Sequence, residues 1–254
     1  MTFQDRDISL GLWSSLEAGA TARLLAAAKP DWLVLDAQHG GWTDSGISAL
    51  LPDWGGSVPV WVRLADDRAA GIGRVLDAGA AGVIVPMVNS VEQAAAAVTA
   101  CRYPPDGERS WGPMAPLVGR AAPDPKTANR AVGCAVMVET ARALADVAAI
   151  AAVPGVDMVF VGPFDLGLAL GRPVDDLLAD DAPTAPLPTV VRACRSAGIR
   201  AGGFAGDPAR AERLVALGFD DVVVGTDAGL LVGAARTSLG QFRTTGATSA
   251  RDGY

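Results

Sequence analysis

Residues 77–101 read DAGAAGVIVPMVNSVEQAAAAVTAC, and this stretch contains one complete strand–helix unit. A glycine-containing turn leads into the apolar run at 82–86, which is short and rich in valine and isoleucine and therefore predicts a buried strand. An Ala-rich run with helical spacing follows at 90–101. A strand followed by such a helix predicts a βα unit of a parallel sheet.

The same alternation recurs along the whole chain, and the turn at 77–82 has a counterpart, ALGFDD, at 216–221. Eight such units predict an α/β fold, a (β/α)8 or TIM barrel, as a single domain over 1–243 with 244–254 as a flexible C-terminal tail. Counting strands leaves an open doubly wound sheet as the alternative. The other predicted strands are 8–13, 32–36, 58–63, 134–138, 157–161, 199–203 and 221–225, and the other helical segments are 17–28, 68–78, 141–152, 207–217 and 227–240.

The composition narrows the class of partner. The formal net charge is −7 and there is no run of Lys or Arg, which argues against a nucleic acid or an anionic membrane. Three cysteines without a CxxC arrangement predict buried thiols in a reducing cytoplasm. The first ten residues carry acids where a signal peptide has basic residues, and no apolar run approaches the roughly eighteen residues of a membrane span. We expect a soluble, unprocessed, cytoplasmic protein that binds a small molecule.

The connection over 102–133 is too long for a plain βα loop. Long ordered loops in compact domains usually serve as lids or binding loops, so we expect this segment to contribute to the site.

Polar side chains follow several of the predicted strands, at the end of a barrel where active sites are built. Glu139 follows VMV and Asp165 follows VFVGPF. Each carboxylate alone is commonly an end-of-strand residue or a helix cap. Two acids delivered to one face without an equal number of cations predict a site for Mg²⁺ or Mn²⁺, because buried unpaired carboxylates are costly. Zinc is disfavoured because the chain has a single His.

That histidine, His39, lies three residues after Asp36 in LDAQHGG. A lone His is more often structural, but here the Asp36 carboxylate could hold one ring nitrogen and leave the other free for proton transfer. Arg63 ends VPVWVR and could stabilise an enolate oxygen, or it could form an ion pair with Asp66 or Asp67.

Lysine placement argues against a covalent aldolase mechanism. Lys29 precedes a predicted strand and Lys126 lies in the long connection, so neither occupies the Schiff-base position on a barrel strand. The segment GIGRVLDAG at 71–79 follows no strand directly, which disfavours a dinucleotide. A short helix starting in VGPFDLG, 161–167, could offer backbone N–H groups to a substrate carboxylate.

These residues resemble the HpcH/HpaI family of class II pyruvate aldolases, which includes 4-hydroxy-2-oxoheptanedioate and 2-dehydro-3-deoxyglucarate aldolases. The likeness runs from about Gly11 to Leu239. It is carried by LDAQHG (35–40), VWVR (60–63), DAGAAGVIVPMVNSVEQAAAAV (77–98), RYPPDGER (102–109), VMVET (136–140) and VFVGPFDLGLALG (159–171).

The resemblance implies a barrel of the phosphoenolpyruvate/pyruvate-superfamily type and aldol chemistry between a 2-oxo acid, such as pyruvate or hydroxypyruvate, and an aldehyde. It implies Mg²⁺ or Mn²⁺, with Co²⁺ as a further option, and a homohexamer built as a trimer of dimers whose last helix packs onto a neighbour. The implied site comprises the metal ligands Glu139 and Asp165, Arg63 on the enolate oxygen, an Asp36–His39 proton-transfer dyad, and substrate contacts from Gly162, Phe164, Asp165 and Met137.

Two positions depart from the family pattern. Met137 stands where many relatives have Gln, which removes a hydrogen-bonding group, and the sequence Arg109, Ser110, Trp111, Gly112 is expected to change the lip of the pocket. The alternative functions are an acyl-CoA lyase like the citrate lyase β subunit, an oxaloacetate decarboxylase, and a non-catalytic barrel that binds small acids or serves as a scaffold.

Overall fold

The computed structural model describes residues 8–56 and 58–249, with side chains to residue 243. Eight parallel strands pair in chain order, and the eighth pairs with the first, so the sheet closes into a barrel. The open-sheet alternative is therefore wrong, and the predicted (β/α)8 barrel is confirmed. The strands are β1 Ser9–Ser14, β2 Trp32–Asp36, β3 Val60–Arg63, β4 Gly82–Val85, β5 Gly133–Val138, β6 Met158–Val161, β7 Arg200–Phe204 and β8 Asp221–Thr226.

Helices cover the outside of the barrel, and each predicted helical segment corresponds to one or two of them. Helices also form in segments for which the sequence analysis predicted none, and the longest of these, Pro186–Ala197, buries one apolar face. The helices are α1 Gly19–Ala27, α2 Asp44–Leu50, α3 Ala69–Ala78, α4 Val91–Cys101, α5 Pro125–Ala131, α6 Ala141–Ala145, α7 Val147–Ala151, α8 Pro163–Ala169, α9 Val174–Ala179, α10 Pro186–Ala197, α11 Pro208–Leu217 and α12 Asp227–Ser249.

The barrel interior is filled by large aromatic and sulfur-containing side chains. Trp13, Trp32 and Phe160 are buried there together with Met137 and Met158. Such bulky groups fit because glycines stand opposite them on neighbouring strands. A Cβ at Gly82, for example, would lie only 2.6 Å from the indole ring of Trp61. The interior of the barrel is thus a packed core. A cavity can therefore form at the carboxyl ends of the strands, beyond this core.

The long connection 102–133 lies on the opposite side of the barrel from the carboxyl ends. It joins α4 to β5 and therefore enters the strand at its amino end. Arg109 forms an ion pair of 2.6 Å with Asp77 near the end of α3, and the Met114 amide donates to the Asp77 carbonyl at 2.8 Å. The expectation that this connection and Trp111 border the chain's own pocket is wrong, because no residue of 102–133 lines the barrel-mouth cavity as described.

The last helix is fixed to the first strand by a buried carboxylate. Asp227 accepts hydrogen bonds from the Ser14 hydroxyl at 2.9 Å and from the amides of Ser15 and Leu16 at 2.9 and 3.0 Å. Helix α12 continues to Ser249, so the predicted tail belongs to this helix as far as that residue, and its remaining part, 250–254, lies outside the described residues. No helix in the described ranges is long and apolar enough to cross a membrane.

Candidate active site

A cavity of about 280 Å³ opens at the carboxyl ends of the strands. Larger depressions occur on the outside of the barrel, such as one of about 510 Å³ between α3 and α4, but their linings are mostly small residues and surface charges. The barrel-mouth cavity combines apolar walls with converging acids, an arginine and the histidine, as expected of a reactive site. Its lining residues are Trp13, Ser15, Asp36, His39, Arg63, Met137, Phe160, Gly162, Phe164, Asp165 and Phe204.

Asp36 and Arg63 are paired on neighbouring strands at the base of this cavity. The strand register places them directly opposite each other, and Arg63 donates from Nε to Oδ1 at 2.8 Å and from Nη2 to Oδ2 at 2.6 Å. Burial alone would raise the pKa of Asp36, but the hydrogen bonds and positive charge of Arg63 outweigh it and hold this pKa below its usual value. The Asp66 and Asp67 alternative for Arg63 is thus wrong, since Asp66 pairs with Arg68 instead.

His39 lies at the rim of the cavity, on the tight loop that follows β2. Its backbone N–H donates to Asp36 Oδ1 at 3.3 Å, beside the amide of Gln38 at 3.0 Å. Among the described residues no side chain hydrogen-bonds to the imidazole ring, so the predicted contact between the Asp36 carboxylate and that ring is not formed. The carboxylate instead fixes the loop that carries the ring, because its two oxygens are taken by Arg63 and by backbone amides.

Glu139 is buried immediately after β5, where only 3% of the residue is exposed. Its Oε1 accepts a hydrogen bond of 2.8 Å from the backbone amide of Met87, which has the left-handed φ of +56°. Burial raises the pKa of Glu139; the Met87 amide opposes this rise, and the neighbouring charge of Asp165 adds to it. The site therefore holds a carboxylate whose ionised form needs a positive partner.

The second acid of the pair, Asp165, projects from the first turn of α8. Gly162 lies between the two acids, because a Cβ at this position would be 3.0 Å from Glu139 Oε2 and 3.6 Å from Asp165 Oδ2. Both oxygens thus face one small space that only a glycine leaves open. Hard oxygen donors around such a space suit Mg²⁺ or Mn²⁺. No group of three or more His, Cys, Asp or Glu side chains able to hold a metal occurs in the described ranges, so these two acids would supply the protein's share of ligands.

Met137 and Phe164 also line the cavity. The Met137 side chain is buried in the barrel, and its Cε would be 3.3 Å from a Cβ at Gly162. A thioether therefore borders the space beside the acids, and it is a weak hydrogen-bond acceptor. Phe164 is 42% exposed at the start of α8, directly before Asp165.

Sequence reasoning missed two kinds of functional residue. Trp13 and Phe204 line the cavity from the carboxyl ends of β1 and β7, but their apolar side chains gave no chemical signal. Their position at the end of a predicted strand could have revealed them. Met87 contributes through its backbone amide, which no side-chain pattern discloses.

Comparison with known proteins agrees with this geometry. The HpcH/HpaI aldolase/citrate lyase family model matches residues 9–234. A hydroxypyruvate/pyruvate aldolase of Paraburkholderia phytofirmans is 37% identical over 95% of this chain and 95% of that protein. A 2-keto-3-deoxy-L-rhamnonate aldolase of Salmonella gallinarum is 35% identical over 97% and 93%, respectively. The crystal structure of a family protein from Burkholderia cenocepacia superposes with a TM-score of 0.85 at 34% identity, covering 95% of this chain and 97% of that one.

Proposed function

Because the chain belongs to the HpcH/HpaI aldolase/citrate lyase family, we propose that this barrel is a class II aldolase that joins pyruvate or hydroxypyruvate to an aldehyde and reverses the reaction. The enzyme cleaves and forms a carbon–carbon bond. The observation that carries the proposal is the convergence of Glu139, Asp165, Arg63 and His39 on one cavity at the carboxyl ends of the strands.

We propose that Glu139 and Asp165 hold a divalent cation, Mg²⁺ or Mn²⁺, with Co²⁺ as a further option. Support comes from the glycine-lined space between their oxygens and from the raised pKa of Glu139, which follows from burial and from the charge of Asp165. Such a cation, when bound, acidifies the C3 hydrogens of a chelated 2-oxo acid by acting as a Lewis acid.

We assign Arg63 to the enolate oxygen of the 2-oxo acid, on which negative charge develops during the reaction. Its guanidinium is oriented by two hydrogen bonds to Asp36 and lies 4.9 Å from the centroid of the Trp13 ring. A cation fixed in this way stabilises an enolate without having to reorganise during the reaction. The backbone at Gly162 and Phe164, with Met137 beside it, borders the position of the 2-oxo acid.

His39 is assigned the proton transfer. In the addition direction the enolate carbon attacks the aldehyde carbon, and the imidazole delivers a proton to the new alkoxide; in cleavage the same ring removes the proton of the 4-hydroxyl group. Asp36 is a positioning residue for this step, since it holds the His39 backbone amide and Arg63 together.

Three rival functions receive less support. An acyl-CoA lyase needs a basic groove for the nucleotide, and Arg63 is the one Lys or Arg in the cavity lining as described. Oxaloacetate decarboxylation passes through the same enolate and is compatible as a side activity. A non-catalytic scaffold gives no reason for these acids, the arginine and the histidine to converge.

We also propose a homohexamer in which α12 packs on a neighbouring copy. Leu231 and Leu239 are 66% and 56% exposed, and Leu230, Val232 and Phe242 on the same helix are also exposed, as is typical of an interaction surface. Light scattering of the purified protein tests the hexamer, and a monomeric mass would contradict it.

A cytoplasmic location fits the three free, buried cysteines.

The assignment of His39 can be tested by comparing His39→Ala with the wild type. Aldol cleavage should fall by about 100-fold or more, the usual contribution of a positioned acid–base group. Mn²⁺ affinity, measured by titration calorimetry, should change little because neither acid of the pair is altered. Wild-type turnover in the variant would remove His39 from the mechanism.

A further inference from the structure

One side of the cavity is a continuous wall of aromatic rings. Trp13 and Phe160 stack with ring centroids 5.9 Å apart, and Phe204 meets Trp13 edge-on at 5.2 Å. Phe164 extends the wall outward, with its ring 6.2 Å from that of Phe204. The wall runs from the barrel interior, where Trp13 contacts the Arg63 guanidinium, to Phe164 at the rim.

The outer edge of this wall is supported by an arginine that is not part of the cavity lining as described. The Arg210 guanidinium lies 5.1 Å from the Phe164 ring centroid. Its nitrogens donate to both oxygens of Asp175 and to Asp207, and these acids raise the pKa of Arg210. The Arg210 charge is therefore balanced by two carboxylates, and its role at the cavity is to hold the Phe164 ring.

The polar part of the lining offers no complement to a second carboxylate. Arg63 is the one Lys or Arg among the lining residues that the structure describes, and its Nε and Nη2 donate to Asp36. The charges of Glu139 and Asp165 would be cancelled by the proposed divalent cation, which leaves no net positive charge there for a second carboxylate. An aldehyde that carries its own carboxylate would lose hydration against the aromatic wall without gaining a counter-charge.

Cavity size limits the acceptor further. The volume of about 280 Å³ falls at the lower end of ligand pockets, which span roughly 300–1,000 Å³. Pyruvate must share this volume with the acceptor, so the space left inside the cavity suits an acceptor substituent of about one ring or a short aliphatic chain.

We propose that the acceptor half of the site takes a small, uncharged aldehyde whose apolar or aromatic substituent packs against Phe164 and Phe204, and that it discriminates against aldehydes bearing a carboxylate. This inference rests on the proposed aldolase function. In the addition, the bond that forms joins C3 of the pyruvate enolate to the aldehyde carbon, and the π bond of the aldehyde carbonyl breaks. The methyl group releases one proton and the resulting alkoxide takes one up, so the reaction needs no oxidant or reductant.

The test compares kcat/KM for the addition of pyruvate to benzaldehyde and to succinic semialdehyde, with Mn²⁺ present. Wild-type enzyme should favour benzaldehyde by about tenfold or more, the order of selectivity that an apolar subsite supplies. Phe204→Ala and Phe164→Ala should each lower this ratio severalfold. The ratio is compared within each variant, so a general loss of turnover does not affect it.

Leu168→Ala is the matched control, because Leu168 lies on the same helix as Phe164, is 82% exposed and does not line the cavity. Its ratio should equal that of the wild type. A wild-type preference for succinic semialdehyde, or an unchanged ratio in both phenylalanine variants, overturns the inference while deuterium exchange into pyruvate still supports the aldolase. Absence of that exchange with every divalent metal overturns both together.

Discussion

The Arg63 guanidinium and the Asp36 carboxylate meet in two parallel hydrogen bonds, 2.8 and 2.6 Å long, and both residues are buried at the base of the cavity. Removing one partner of such a buried pair leaves an uncompensated charge. The pair thus couples the position of the proposed enolate-stabilising group to that of the loop bearing His39, whose amide shares Asp36 Oδ1.

Replacing Arg63 with Lys should lower kcat for aldol addition by about 100- to 1,000-fold, the effect of losing one oriented transition-state donor. Lysine keeps the charge but cannot form the paired contact with Asp36. Steady-state kinetics measure the change. Arg68→Lys, which alters the exposed pair with Asp66 a few residues away, is the control and should behave as wild type. Comparable turnover in both variants would contradict the assignment.

Glu139→Gln should raise the Tm of the metal-free protein at neutral pH. Because burial raises the folded-state pKa of Glu139, the stability that this group contributes is complete below its unfolded value near 4.5 and is lost as the pH rises through the folded value. Glutamine does not ionise, so the variant does not lose this stability as the pH rises. Calorimetric scans from acid to neutral pH should show the Tm advantage growing with pH.

The change in Tm on adding a divalent metal is a second measurement on the same variant. Mn²⁺ should raise the Tm of the wild type, because a ligand that binds only the folded state stabilises it, and should have little effect on Glu139→Gln. An equal Mn²⁺-induced shift in both proteins would remove Glu139 from the metal site.

The two acids and the loops around them show which parts of the candidate site can be predicted from the sequence. Glu139 and Asp165 could be predicted because a strand of known direction ends just before each, and the carboxyl ends of parallel strands share one edge. The ring contact from Asp36 to His39 could not be excluded from spacing alone, since the competing partner, Arg63, lies on another strand. The length of the connection 102–133 predicts a functional loop, but the connection follows α4 and enters β5 at its amino end, away from the cavity.

The contact between Met87 and Glu139 cannot be predicted from a pattern of side chains, because the Met87 backbone amide makes it. Met87→Pro removes the amide that donates to Glu139 and imposes a φ of about −65° where the structure has +56°. Mn²⁺ affinity should fall by about 10- to 100-fold, as for other losses of support to a metal ligand. Met87→Gly retains the N–H and accepts the left-handed φ, so its affinity should match the wild type. Equal affinities in both variants, by calorimetric titration, would show that this amide does not position Glu139.

Asp227→Ala should destabilise the fold by about 2 kcal/mol or more, because it leaves the amides of Ser15 and Leu16 without their acceptor where β1 meets α12. Denaturant unfolding measures this difference. Asp176→Ala, an exposed acid in the first turn of α9, is the control, and its effect should stay within about 0.5 kcal/mol. Equal losses in the two variants would mean that Asp227 does not join the helix to the barrel.

The most direct test of the aldolase account is deuterium incorporation into the methyl group of pyruvate, followed by proton NMR in D₂O. The enzyme is measured after chelation and again after Mg²⁺ or Mn²⁺ is restored, with Glu139→Gln in parallel. We expect exchange that stops on chelation, returns with metal in the wild type and is lost in the variant. No exchange with any divalent metal would contradict enolate formation at this site, and exchange that persists after chelation would contradict the role of the metal.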